Sequence, residues 1–147
     1  MKTLIKTILL GLLITNAFAQ SADEKAIKDV IEKETATWRA GDAKGHAECW
    51  EIRPYSRVLV SLPDGTHIDV KPESMKQQSE AMGSGGSSLN TNYKMAIHGN
   101  SAWANFDQET SNKDGSKGYS HEMRMLEKVN GKWKIVGESV HLYKPAN

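Results

Sequence analysis

Apolar residues recur at helical spacing near the start of the chain and alternate with polar residues towards its end. The helical run lies between about Ala22 and Ala40. On one face it carries Ile27, Val30, Ile31, Glu34 and Trp38. Ser21-Ala22-Asp23-Glu24 fits a capping box at its start, and Gly41 is typical of a left-handed helix end. Asp42 then offers an N-cap for a second, shorter helix, so the sequence predicts two helices that meet at a sharp corner.

The middle of the chain predicts one strand and one short helix. Residues Arg57 to Leu62 are rich in β-branched and apolar side chains, and Pro63-Asp64-Gly65 stops them. Pro72 is well placed as the first residue of a third helix that reaches about Met82. The run from Gly83 to Ser88 carries no side chain that could bury itself, which favours a mobile connector over a flap above a cavity mouth.

The last part of the chain reads as a series of strands. Leu89 to Ile97 alternates between the two faces of a sheet, and Ala102 to Thr110 returns after a turn. Gly118 to Val129 and Lys132 to Tyr143 are joined by Asn130-Gly131, which favours positive φ at both positions and hence a tight antiparallel hairpin. Strands that follow one another without crossover helices predict an α+β fold: a strongly bent antiparallel meander covered by about three N-terminal helices.

Residues 1–19 have the features of a cleaved signal peptide. Lys2 and Lys6 give a positive start, Leu4 to Ile14 is apolar, and Ala17-Phe18-Ala19 has the small-x-small pattern of a cleavage site. The apolar run is short for a bilayer span, so a membrane anchor is the less favoured interpretation. We therefore expect cleavage after Ala19, export to the periplasm or the outside, and a single domain over residues 20–147.

Charge and cysteine content exclude several classes of function. Loss of residues 1–19 would leave 17 basic and 18 acidic residues, a net charge of −1. This balance gives no global attraction for nucleic acid or anionic lipid, and no span is expected after cleavage. Cys49 is the only cysteine, so no internal disulfide can form. We interpret it as a small buried apolar residue rather than a reactive thiol.

Two short motifs carry a resemblance to a known superfamily. Trp38-Arg39-Ala40-Gly41-Asp42 at the helix corner and Asn130-Gly131-Lys132-Trp133-Lys134-Ile135-Val136 in the last hairpin resemble the nuclear-transport-factor-2-like superfamily, or cone fold. It includes ketosteroid isomerases, SnoaL-type polyketide cyclases and many exported bacterial proteins of unassigned function. The resemblance implies a bent, helix-capped sheet around a conical pocket, and frequently a dimer formed through the open sheet faces.

The resemblance to ketosteroid isomerases allows their catalytic positions to be inspected. Their helix tyrosine is matched by Glu34, their base falls near Ser61 or Leu62, and their strand acid falls near His121 to Met123. Steroid-isomerase chemistry is therefore not expected. A SnoaL-type isomerase or lyase stays open, with His121 as the acid/base candidate and Glu138 on the neighbouring strand to orient it. The favoured alternative is that His121 bonds to a cross-strand partner or lies on the dimer face.

The candidate pocket residues are the aromatic side chains of the helical cap and polar or apolar residues of the last hairpin. The predicted lining comprises Trp38, His46, Trp50, Tyr55, Tyr119, His121, Met123 and Glu138. For Trp38, Trp50 and Tyr55, ordinary packing in the hydrophobic core is favoured over a role in ligand binding. The chain contains no His-x-His, His-x3-His or Cys-x2-Cys pair and no phosphate-binding glycine motif, so we predict no metal and no cofactor.

Three functions follow from these observations. The favoured hypothesis is an exported cone-fold protein, frequently a homodimer in this superfamily, that binds a small apolar or amphipathic molecule, or a partner, without catalysis. The second is the SnoaL-type enzyme described above. The third is a structural dimerisation module whose cone is filled by its own side chains, which predicts no cavity larger than a few water molecules.

Overall fold

A computed structural model of the protein describes residues 22–145. The predicted signal segment, its cleavage site and Ser21 of the capping box lie outside the described residues. Helix α1 occupies residues 22–40, and helix α2 is Ala43–Ala47. The side chain of Asp42 caps α2 by accepting a 2.9 Å hydrogen bond from the Gly45 amide. The predicted helix corner is thus confirmed, although α2 ends before Trp50.

Six strands form one sheet in the part of the chain from residue 22 to residue 145. They are β1 (Val58–Ser61), β2 (His67–Val70), β3 (Ser87–His98), β4 (Ser101–Ser111), β5 (Lys117–Val129) and β6 (Lys132–Tyr143). The spatial order is β2-β1-β6-β5-β4-β3. Strands β3 to β6 form the predicted antiparallel meander, while β1 pairs with β6 in parallel. The α+β fold class and the curved, open sheet are therefore as predicted.

Two elements in the middle of the chain differ from the sequence prediction. Strand β2 was not predicted, and it pairs with β1 across the Pro63-Asp64-Gly65 turn. The third helix reaches only from Pro72 to Lys76 and is a 3₁₀ helix, rather than a helix that continues to Met82. Its apolar stripe was weak, and Met75 is its single buried residue. With so little surface to bury, a longer helix would gain little from packing.

Backbone irregularities set which side chains face inwards. Asn130 and Gly131 have φ of 51° and 76°, as predicted for the tight turn between β5 and β6. A bulge in β3 shifts the register between Thr91 and Lys94. Because a one-residue shift exchanges the two faces, Leu89 is exposed while later odd-numbered residues such as Tyr93 pack against the core. The uninterrupted alternation expected for this strand was therefore wrong.

The glycine-rich segment is bonded to the end of α1. Gly41 ends the helix with φ of 75°. Its backbone lies so close to Gly83 that a Cβ atom on Gly41 would be 3.3 Å from the Gly83 Cα. The Gly83 amide donates to the Trp38 carbonyl and the Gly85 amide to the Arg39 carbonyl, each over 2.9 Å. The segment thus supplies amide donors to the last carbonyls of the helix, of which that of Trp38 also accepts from the Gly41 amide, in contrast to the expected mobile connector.

The hydrophobic core lies between α1 and the inner face of β3 to β6. Fully buried members from the helices, strands and loops include Ile27, Ile31, Trp50, Phe106, Leu126 and Ile135. Cys49 is buried beside them, and burial raises the pKa of its thiol to about 11. A thiol in this state is an apolar packing residue, in agreement with the prediction. Among the described helices, none is long and apolar enough to cross a membrane.

Candidate functional site

A cavity of about 450 Å³ lies between the helical layer and the inner face of the sheet. Its volume falls within the range of small-molecule sites. One part of its wall is apolar and is formed by Trp38, Val58, Val60, Val70, Met75 and Ala81. The other part is polar and includes Glu34, Thr35, Arg39, Glu122, Arg124 and Glu138. A cavity of this size does not fit the filled-cone alternative, which predicted room for only a few waters.

Arg124 on β5 stands at the centre of the polar wall and is surrounded by three carboxylates. Its Nη1 lies 2.7 Å from Glu122 Oε2, and its Nη2 lies 3.2 Å from Glu138 Oε1 and 3.4 Å from Glu34 Oε2. Ser120 donates a 2.6 Å hydrogen bond to the other Glu122 oxygen. Because Arg124 is only 3% exposed, these carboxylates are its substitute for water. They raise the pKa of the guanidinium although burial alone would lower it.

His46 on α2 extends this network beneath the cavity wall. Its Nδ1 lies 2.8 Å from the Met75 carbonyl oxygen and its Nε2 lies 2.9 Å from Glu34 Oε1. A carbonyl can only accept, so Nδ1 carries a proton. Burial would raise the pKa of Glu34, but Arg124 and the hydrogen bond from His46 hold it below the ordinary value. An ionised Glu34 also only accepts, so Nε2 donates to it and the imidazole is cationic.

The two cations of this network do not balance the charge of a third carboxylate, that of Glu138 on β6. Arg124 and the cationic His46 balance the charges of Glu34 and Glu122. Burial raises the pKa of Glu138 to about 8, and the negative charges of Glu34 and Glu122 add to this effect while Arg124 opposes it. Glu138 is therefore largely a neutral carboxylic acid at neutral pH, inside the cavity wall.

Several buried polar atoms on the cavity wall have no hydrogen-bond partner among the described residues. They are Thr35 Oγ1, Arg39 Nε, Glu122 Oε2, Arg124 Nε and Glu138 Oε2. Glu122 Oε2 has an ion-pair contact instead, 2.7 Å from Arg124 Nη1. Unpaired buried donors and acceptors cost free energy, and native proteins normally satisfy them. Their concentration on one wall marks this cavity as the candidate site.

The structure places the predicted helical and loop residues of the pocket in different positions. Trp38 and Glu138 line the cavity. His46 lies behind the wall, buried between the rings of Trp38 and Trp50, whose centroids are 5.2 and 6.3 Å away. Trp50 belongs to the core and does not reach the cavity wall. Tyr55 is 60% exposed and hydrogen-bonds to a glutamate of β5, away from the cavity.

The structure does not bring His121 and Glu138 together. His121 lies on the outer face of the sheet, where its side chain is 62% exposed. Its Nδ1 is 2.7 Å from Asp107 Oδ1, and its ring stacks on Tyr143 with 4.5 Å between the centroids. Glu138 faces the cavity on the other side. The favoured expectation for His121, a cross-strand partner or an outer-face position, describes this arrangement.

Tyr119 and Met123 share the outer face with His121, since they alternate with the inward residues of β5. The ring of Tyr119 lies 6.0 Å from that of Tyr143, and Met123 is 37% exposed. Met123 and His121 border an open depression of about 740 Å³ on this face. Neither Tyr119 nor Met123 lines the inner cavity.

Three site residues were not predicted as pocket residues: Glu34, Glu122 and Arg124. Strand β5 offers one face with Ser120, Glu122, Arg124 and Leu126, and another with His121 and methionines. Three residues of the apolar face, Tyr119, His121 and Met123, were among the predicted lining, whereas the charged face lies inside. The sequence signal for this charged face was a glutamate and an arginine two residues apart on β5, with Glu138 opposite Arg124 on the paired strand. In the part of the chain described, no cluster of side chains suits a metal ion.

Comparison with known proteins supports the fold. No protein-family model and no curated protein sequence matches this chain. A solved NTF2-like protein of cystatin-like fold from Novosphingobium aromaticivorans is 13% identical, with 90% of each chain covered and a TM-score of 0.67. A protein of unknown function from Nostoc punctiforme, also of cystatin-like fold, is 12% identical over 85% of this chain and 93% of its own, with a TM-score of 0.65.

A further solved structure agrees with these two. An NTF2-like protein of unknown function from Shewanella baltica is 16% identical over 85% of this chain and 97% of its own, with a TM-score of 0.58. At such low identity the likeness concerns the fold, and a fold of this kind serves many functions. The fold expected from the helix corner and the last hairpin is thereby confirmed: the chain has a cone fold similar to that of these solved NTF2-like structures.

Proposed function

We propose that this protein is exported and binds a small amphipathic molecule in the cavity between α1 and the sheet, without catalysing a reaction on it. The observation that carries the proposal is the cavity itself, about 450 Å³ in volume, with an apolar wall facing a wall of unpartnered polar atoms. A ligand that spans both walls would bury apolar surface on one side. On the other it would supply the missing hydrogen-bond partners.

The apolar wall provides affinity and the polar wall provides orientation. Val58, Val60 and Val70 come from the β1–β2 hairpin and face Trp38 of α1 across the cavity. Contact with these side chains stabilises a ligand by roughly 25 cal/mol for each Å² of apolar surface removed from water. Each polar wall atom that gains a partner adds a contribution on the order of 1 kcal/mol.

Catalysis is not part of the proposal, because the charged side chains of the cavity are mostly engaged with one another. Glu34 is held by His46 and Arg124, and Glu122 is held by Ser120 and Arg124. His121, the acid/base candidate from the sequence, lies on the opposite face of the sheet.

A tryptophan that fills the cavity tests the binding proposal. Purified protein is screened by thermal unfolding against a panel of lipids, sterols and polyketides. At a ligand concentration of about 100 Kd, a true ligand stabilises the fold by about 2.7 kcal/mol, which raises Tm by several degrees. We expect the variant Val60→Trp to lose this shift, because residue 60 lines the cavity.

The control is Leu59→Trp, a neighbouring position of β1 that is not part of the cavity wall. It should keep the ligand-induced shift. If no compound on the panel raises the Tm of the unsubstituted protein, small-molecule binding loses its support. If Val60→Trp responds as strongly as Leu59→Trp, binding takes place elsewhere.

The outer face of the sheet is proposed to pair with a second copy of the chain. Trp103, Met123 and Met125 are between 37% and 41% exposed there, which is unusual for large apolar side chains on a sheet. Lys94 and Asp107 border the same surface, so it carries both signs of charge. A two-fold contact repeats one patch on both subunits, and such a mixed patch complements itself.

Light scattering after size exclusion tests this dimer. The unsubstituted protein is expected at twice the mass of one chain. Met123→Lys is expected at the monomer mass because two lysines would be desolvated at the two-fold contact. The far-ultraviolet circular dichroism of the variant should remain that of the parent. A monomeric parent protein, or an unchanged mass for Met123→Lys, would contradict the proposal.

A further inference from the structure

The carboxylates of the cavity exceed the cations that can balance them. Glu34, Glu122 and Glu138 contribute three negative charges when ionised, while Arg124 and His46 contribute two positive charges. Arg39 also lines the cavity, but its Nη2 points to Asn112 Oδ1 at 3.2 Å and to the Ser111 carbonyl at 3.5 Å. Ionised Glu138 therefore shares the Arg124 cation with two other carboxylates, and one of the three negative charges has no cation of its own among the described side chains.

Two carboxylate oxygens without hydrogen-bond partners lie at the place where a positive charge is missing. Among the described residues, Glu138 Oε2 has no hydrogen-bond partner. Oε2 of Glu122, whose side chain is only 4% exposed, has none beyond its 2.7 Å ion-pair contact with Arg124 Nη1. Both residues line the cavity. The two Nη atoms of Arg124 are already shared among three carboxylates, and its Nε donor bonds to neither oxygen. Two buried carboxylate oxygens thus face the cavity with acceptor capacity to spare.

We propose that the cavity binds a small organic amine, whose ammonium group donates to Glu138 and Glu122 while its apolar part contacts the valines of the β1–β2 hairpin. This inference rests on the proposed function and names its ligand class. An ammonium group carries three donors and one positive charge, which matches the unpartnered oxygen of Glu138, the spare lone pair of Glu122 Oε2 beside Arg124, and one surplus negative charge. The apolar wall opposite selects an amine with a hydrocarbon part.

Anionic ligands are disfavoured by the same geometry. The carboxylates of Glu34, Glu122 and Glu138 surround the guanidinium of Arg124 and present negative charge to any anion that approaches it. Repulsion between like charges is strong where water is excluded. A neutral ligand would fit the apolar wall but would gain no ion pair with Glu138, which would keep its proton at neutral pH.

Amine binding is coupled to release of a proton. The charged groups that face Glu138 are Arg124 and Glu122 on β5 and Glu34 on α1, with His46 behind Glu34. At neutral pH this set reaches neutrality by a proton on Glu138, whose pKa burial raises to about 8. An ammonium ion replaces that proton as the balancing charge. Affinity should therefore rise as the pH approaches 8, by up to about tenfold for each pH unit, and then level off.

Calorimetric titration with a matched pair of probes tests the proposal. Phenethylamine and phenethyl alcohol differ only in the ammonium or hydroxyl group, and both are small enough for a cavity of about 450 Å³. Phosphate and borate buffers avoid competing amines. We expect phenethylamine to bind at least about tenfold more tightly than the alcohol at pH 8, a difference of about 1.4 kcal/mol. Only the amine should show the rise in affinity with pH.

The variant Glu138→Gln keeps the shape of the side chain and removes its charge. We expect amine affinity at pH 8 to fall about tenfold or more, the dependence of amine affinity on pH to flatten, and alcohol binding to stay unchanged. Glu109→Gln on the outer face is the matched control and should behave as the parent. The pH profile of the unsubstituted protein keeps the test valid even if the variant folds poorly.

The possible outcomes separate this inference from the proposed function. Equal or tighter binding of the alcohol, or amine binding without pH dependence, overturns the amine proposal and leaves the binding function in place. If both probes fail while other compounds of the panel stabilise the protein, the amine proposal also fails alone. If no compound of any kind binds, both fail.

Discussion

Replacement of Arg124 by methionine is expected to destabilise the fold by about 3–5 kcal/mol at neutral pH. Within residues 22–145 the guanidinium alone contacts all three buried carboxylates, and Arg124 is 3% exposed. Methionine fills similar space but leaves those carboxylates without their shared cation. Since a domain of this kind has a total stability on the order of 5–15 kcal/mol, the loss should be evident in urea unfolding followed by circular dichroism.

The pH dependence of this loss identifies its electrostatic cause. Without Arg124, the pKa of each buried carboxyl group in the folded state rises, so the folded variant binds more protons than the unfolded chain. Its stability should therefore increase relative to the parent as the pH falls from about 7 to about 5. Arg57→Met is the control, because its ion pair with Asp69 is exposed, and its effect should be far smaller. A loss that is the same at both pH values would point to packing instead.

Much of the fold could be predicted because local signals agree with one another. Asn130-Gly131 between two β-prone runs fixed the last hairpin, and Gly41-Asp42 fixed the helix corner, each through the backbone conformation it favours. Strand β2 was missed because its residues His67–Val70 are mostly exposed and give no alternation of buried and exposed positions. It forms through pairing with β1, which is a tertiary effect.

The site was less predictable because its central residues contradict the usual rule for interiors. On β5 the pocket candidates Tyr119, His121 and Met123 lie on the outer face, whereas Glu122 and Arg124 are the buried residues. Burial of these charges depends on partners from α1, α2 and β6 that are distant in sequence. Alternation correctly separated the two faces of the strand. Only the three-dimensional partners decide which face can be inside.

Replacement of Glu138 by glutamine should remove most of the loss of stability that the parent shows as the pH rises from about 5 to about 8. Burial raises the pKa of Glu138 from 4.5 to about 8 in the folded protein. Between these values the folded state holds a proton that the unfolded chain has released. Stability therefore falls as the pH rises, by about 3–5 kcal/mol in total, and the full contribution is present below the unfolded pKa.

Comparison of the two proteins isolates this single group. Glu138→Gln should match the parent near pH 5 and exceed its stability near pH 8, as measured by urea unfolding at both values, while the exposed Glu109→Gln should follow the parent. The contribution of Glu34 has the opposite sign and is lost only as the pH falls below about 4.5, since its folded pKa is lowered. A difference between parent and Glu138→Gln that does not change with pH would contradict the assignment. Ionisation of Glu138 weakens the fold, so a role in stability does not explain why a carboxylate occupies this position. A role in binding a cationic ligand does explain it.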